Sequence, residues 1–133
     1  MTFELTILVG SAMLGLLHIV LVAQLSNYHR GYVKWAAGAR DEPPEPLPRV
    51  AARIERAYRN YLETYPYFVA VTLTAQALGV HSWQTEWGTA LFLGSRVLYV
   101  GLYAAGVWLL RSLVWNVAYG GIALVIIAVL RSA

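Results

Sequence analysis

Four stretches of the chain carry no Asp, Glu, Lys or Arg: residues 5–28, 64–85, 97–110 and 112–130. Crossing the hydrocarbon of a bilayer takes about 20 helical residues. The first, second and fourth stretches reach that length alone. The third does so once residues 83–96 are joined to it, which brings in Glu86 and Arg96. The pattern predicts an all-α integral membrane protein, a single domain built as a four-helix bundle. Its helices are expected at about 3–26, 49–78, 83–109 and 113–131. One long loop, about 27–48, holds Asp41-Glu42-Pro43-Pro44-Glu45-Pro46-Leu47-Pro48, whose prolines exclude helix until Pro48 can sit in a first turn. The first apolar run lacks a basic leader and is longer than the apolar part of a signal peptide, so it reads as a retained helix.

Composition agrees with the bilayer. Of 133 residues 59% are hydrophobic, and the mean hydropathy is +0.55. A soluble core of this size could not hide so much apolar surface. The net charge of +3 is concentrated, because seven of the ten Lys and Arg residues lie between Arg30 and Arg59. Flanking a transmembrane hairpin, that cluster is a topological signal rather than a nucleic-acid footprint. It predicts that the long loop and the turn bearing Arg111 are cytoplasmic, with both termini on the other side, as in a bacterial inner membrane. Trp83, Trp87, Trp108 and Trp115 fall where interfacial belts are expected. There is no cysteine, so any thiol chemistry must come from a bound molecule. No His, Asp and Glu spacing suggests a metal site.

The second helix carries the informative polar residues. Arg53, Arg56, Asn60 and Glu63 are spaced three, four and three, so they fall within an arc of about 80° and climb about 15 Å. In the third helix Arg96, Tyr99 and Tyr103 fall within about 60°. Counted from the outer ends of their helices, Glu63 and Arg96 lie at depths of about 22 and 20 Å, so the two can meet. A buried ion pair that only holds two helices together would explain those two residues. It would not explain the surplus of Arg53, Arg56 and Arg96, with Arg30 or Arg111 nearby, over the single carboxylate. That surplus calls for an anionic ligand with carboxylates for the arginines, an ammonium for Glu63, and amides for Asn60 and the tyrosines. Glutathione has those groups.

The run Arg53-x-x-Arg56-Ala57-x-x-Asn60-x-x-Glu63-x-x-Pro66-x-Phe68 resembles the second-helix signature of the MAPEG superfamily, which includes microsomal glutathione transferases and the leukotriene and prostaglandin E synthases. The long first loop and Arg96-x-x-Tyr99-x-x-x-Tyr103 extend the resemblance over nearly the whole chain. It implies a homotrimer with glutathione held between neighbouring subunits near the cytoplasmic side. Arg53, Arg56, Asn60, Glu63, Tyr99 and Tyr103 stand at matching positions, and Arg30 roughly where the family uses a basic residue. Thr64 stands where some members have tyrosine, and the arginine expected beyond Tyr103 has no fixed register, Arg111 being nearest.

The implied activity is that of a glutathione S-transferase or glutathione-dependent peroxidase, acting on an apolar electrophile or lipid hydroperoxide from the bilayer. Arg111, or alternatively Tyr103, would stabilise the thiolate. A noncatalytic lipid-binding or scaffold protein of the same fold is the alternative. A small multidrug exporter fits less well, since the deep carboxylate Glu63 is surrounded by arginines that would repel cationic drugs. Among the remaining residues, His18 is expected to pack inside helix 1, and His29 and His81 to be solvated. Glu55 and Arg59 read as a surface i, i+4 pair. Gly101 and Gly106 are expected at close helix contacts.

Overall fold

The computed structural model describes residues 1–132, and among these every regular element is helical. The helices are α1 (Phe3–Arg30), α2 (Arg49–Ala77), α3 (Trp83–Ala105) and α4 (Trp108–Ser132), with one π-helical turn, Tyr32–Ala36, after α1. α1, α3 and α4 are long and apolar enough to cross a membrane. α2 is as long, at 29 residues, but its charged first half and its Tyr- and Thr-rich second half keep it out of that group.

Two boundaries differ from the expectation for identifiable reasons. α1 runs on to Arg30 because nothing interrupts it before Gly31, whose φ of +81° ends the helix while its N–H bonds the Asn27 carbonyl. α3 stops at Ala105, not near residue 109, because Gly106 adopts φ +79° and ψ 21° and closes the helix end on the Leu102 and Tyr103 carbonyls. α4 therefore begins at Trp108, and Arg111 belongs to its first turn instead of to the connecting turn. A Cβ at Gly101 would meet nothing within 4 Å, so that glycine makes no close helix contact, whereas Gly106, besides ending α3, admits the Arg53 side chain of α2, which a Cβ there would meet at 2.6 Å.

Packing follows the logic of helices in lipid, where apolar surface gains little from burial and small or hydroxyl side chains let backbones approach. Ser11, Thr72, Thr85, Thr89 and Ala118 are fully buried, whereas Leu16, Leu17 and Val20 of α1 are exposed. The tightest approach is between α3 and α4. A Cβ on Gly88 would lie 2.6 Å from the Gly121 carbonyl oxygen, and one on Gly121 would lie 2.5 Å from that of Gly88. Between α2 and α3, Phe68 stacks on Phe92 with centroids 3.9 Å apart. α1 is held to α2 by the Tyr61 hydroxyl, which donates to the Ser11 carbonyl.

At the end of the bundle away from the long loop, Ser82 caps α3 in a reciprocal box with Thr85. The Thr85 hydroxyl also donates to the buried Glu4 carboxylate at 2.6 Å. His81 lies 3.4 Å from the same carboxylate oxygen, so it is tied to α1 rather than merely solvated.

Candidate functional site

The polar stripe of α2 faces α3, and one buried guanidinium organises the contact. Arg96 is 1% exposed. It donates Nη1–H to Asn60 Oδ1 at 2.8 Å and Nη2–H to Thr64 Oγ1 at 2.7 Å. A guanidinium has only donors and a carboxylate only acceptors. Asn60 therefore turns its oxygen to Arg96 and its Nδ2–H to Glu63 Oε2, at 3.4 Å. The direct Glu63–Arg96 pair expected from equal depths does not form; the Asn60 amide stands between them. Thr64, noted in the sequence only as a departure from a family pattern, is the partner that sequence reasoning missed. Its position four residues after Asn60, on the same helix face, was the available signal.

Nearer the long loop the cluster continues. Arg56 donates Nε–H to the Tyr103 hydroxyl at 3.3 Å. The Arg111 guanidinium sits over the Tyr103 ring, 4.6 Å from its centroid. Tyr99 and Tyr103 meet edge to face at 5.4 Å. An open pocket of about 310 Å³ adjoins them, lined by Tyr99, Arg111, Ser112, Trp115 and Asn116.

Two arginines behave differently from the rest. Arg53 donates Nη1–H to the Ala104 carbonyl at 3.4 Å, and its guanidinium fills the space that a side chain at Gly106 would occupy. It thus neutralises the negative end of α3. Arg30 is not brought to the cluster at all. It donates Nε–H to the Glu45 carbonyl at 2.8 Å and lies over Trp35.

The charges of the cluster are not balanced within the chain. The ion pairs among the described residues are Lys34–Glu45, Arg59–Glu55 and His81–Glu4. Arg53, Arg56, Arg96 and Arg111 therefore converge without a carboxylate within salt-bridge distance, and Arg96 Nε is buried without a partner. Glu63, which accepts from the Asn60 amide, is exposed on the isolated chain.

Fold and site together define an all-helical integral membrane protein with an arginine-rich polar face between α2 and α3. A family model described as MAPEG family matches residues 5–131, and the chain belongs to that family. Membership places it among membrane proteins of glutathione and eicosanoid metabolism, a family with transferases and peroxidases and also noncatalytic members, whose cofactor is typically glutathione. No match emerged among curated proteins or among solved structures.

Proposed function

We propose that the chain binds glutathione within the membrane and acts as a glutathione S-transferase or glutathione-dependent peroxidase on apolar electrophiles, as a homotrimer of four-pass subunits. The observation that carries this reading is the convergence of four guanidiniums that lack a carboxylate partner, beside one exposed carboxylate. The residues fit the ligand. Arg56, with Arg53 behind it at the end of α3, receives carboxylates. Glu63 receives the ammonium, and Tyr99 and Tyr103 hydrogen-bond the amides. Arg96 is a positioning residue, because its bond to Asn60 Oδ1 turns the Asn60 N–H toward Glu63, while its second short bond, to Thr64, fixes the guanidinium.

When bound, glutathione supplies a thiol that becomes a nucleophile on ionisation. A free thiol ionises near about 8.5, and a guanidinium at short range in a partly desolvated site lowers that by about one to three pH units. Arg111 is placed for this role, with Tyr103 as the alternative donor. Apolar partners have a route of their own in a groove of about 300 Å³ between α3 and α4, lined by Leu91, Leu98, Val114 and Val117 among others.

Isothermal titration with glutathione and its S-methyl derivative tests the site. Arg56→Ala should weaken both at least about tenfold, as expected for loss of a charge-assisted contact. Arg59→Ala, off the stripe, should not. Unchanged affinity in Arg56→Ala sinks the assignment. The pH dependence of thiolate absorbance in wild type, Arg111→Ala and Tyr103→Phe then separates the two donors, and absence of any thiolate in the wild type favours the noncatalytic alternative.

A further inference from the structure

We propose that the groove joining α1 to the Trp35 turn binds one anionic phospholipid, its phosphate held by Arg30 and Arg40 and an acyl chain laid along α1. The groove encloses about 350 Å³. One face of α1 forms its floor, with Ile19, Val22 and Ala23 at the membrane end, Ser26 and Asn27 next, and Arg30 at the loop end. From Ile19 to Arg30 is 11 residues, or about 17 Å of helix. Apolar, hydroxyl or amide, and cationic groups thus follow one another in the order in which a lipid presents its chain, ester linkages and phosphate.

The cationic end is built. Two guanidiniums lie over the Trp35 ring, Arg30 Cζ at 4.8 Å and Arg40 Cζ at 5.1 Å from its centroid. Both arginines are held by neutral groups. Arg30 bonds the Glu45 carbonyl, and Arg40 bonds the carbonyls of Trp35 at 3.1 Å and Ala36 at 3.5 Å. Neither has a carboxylate within salt-bridge distance, although Asp41, Glu42 and Glu45 are close in the chain. Glu45 is taken by Lys34 at 2.7 Å, and Glu55, on the groove wall, faces Arg59 at 3.6 Å. Two guanidiniums held by carbonyls and free of direct ion pairs, at the end of an apolar helix face, match an anionic headgroup rather than a zwitterionic one, with Asp41, Glu42 and Glu45 turned to the neighbouring loop pocket. The indole beside them suits the interfacial level of the bilayer. The occupant is taken to be a lipid, and not free phosphate, because the cationic end runs without a break into the apolar floor.

The full-length protein, delipidated in detergent, is offered phosphatidylglycerol and phosphatidylcholine in equal amounts, and retained lipid is counted by native mass spectrometry. The wild type should prefer phosphatidylglycerol by about tenfold or more, and Arg30→Gln and Arg40→Gln should each lower that ratio about fivefold. Arg131→Gln removes the same charge at the C-terminal end of α4, away from the groove, and should leave the ratio intact. Millimolar inorganic phosphate should not displace the lipid. Equal retention of the two lipids, an equal loss in Arg131→Gln, or displacement by phosphate would each overturn the proposal. Arg40 takes no part in the proposed glutathione site, so its variant reads the lipid site independently of glutathione binding.

Discussion

Thr64 and Thr72 lie two turns apart on α2, both buried, at 2% and 0% exposure, yet the same substitution should have opposite consequences at the two positions. Thr64 Oγ1 accepts a 2.7 Å bond from Arg96 and donates to the Tyr61 carbonyl at 3.2 Å. Thr72 Oγ1 has no partner. Valine conserves the shape of threonine and deletes the hydroxyl. At Thr64 it leaves a buried, charged N–H unsatisfied. Hydrogen bonds to charged groups are worth about 1.5–3 kcal/mol in soluble proteins, and interhelical bonds in membranes less. A loss of about 1–2 kcal/mol is therefore expected, or a factor of about 5–30 in the folded-to-unfolded ratio. At Thr72 the change removes a hydroxyl buried without a partner, so stability should hold or rise slightly. Equilibrium unfolding of wild type, Thr64→Val and Thr72→Val in one detergent measures both. Equal shifts for the two variants would refute the assignment of Thr64 as the partner that keeps Arg96 in place.

Gly121→Ala should destabilise the α3–α4 contact by about 1–3 kcal/mol, since the new methyl meets the Gly88 backbone. Gly120→Ala, with nothing within 4 Å, should be neutral or stabilising; matching melting temperatures for the pair would count against the close crossing. In the loop, the Lys34 ammonium holds the Glu45 carboxyl below the ordinary carboxylate value, first by their hydrogen bond and then by charge. The contact should therefore be fully present above about pH 4.3 and be lost as the pH falls through the depressed value. A carbon-13 titration of Glu45 should show its midpoint moving up in Lys34→Ala, and an unmoved midpoint would contradict the pairing.

The amphipathic arrangement of this protein was legible in its sequence because lipid imposes a local rule. Backbone groups must be satisfied within each helix, so length and apolarity mark α1, α3 and α4 as spans without knowledge of their neighbours, whereas α2, expected as a fourth, is too polar to be marked that way. The three-and-four spacing likewise put Arg53, Arg56, Asn60 and Glu63 on one face, and Arg96, Tyr99 and Tyr103 on another, since helical phase depends on residue number alone. Family membership followed from the same residues. Partner choice did not, because it depends on which donors and acceptors the packed helices bring within about 3 Å. Equal depth suggested that Arg96 meets Glu63, but the rotation of α2 against α3 gives Arg96 to Asn60 and Thr64 and leaves Glu63 one hydrogen bond away. Tertiary structure also decided that Arg53 closes the end of α3, where Gly106 leaves room for it. It placed Arg111 on the first turn of α4 over Tyr103. Arg30 was drawn away to Trp35 and the Glu45 carbonyl, for the loop's fold sets where that side chain can reach, and a loop built around prolines has no period from which to read it.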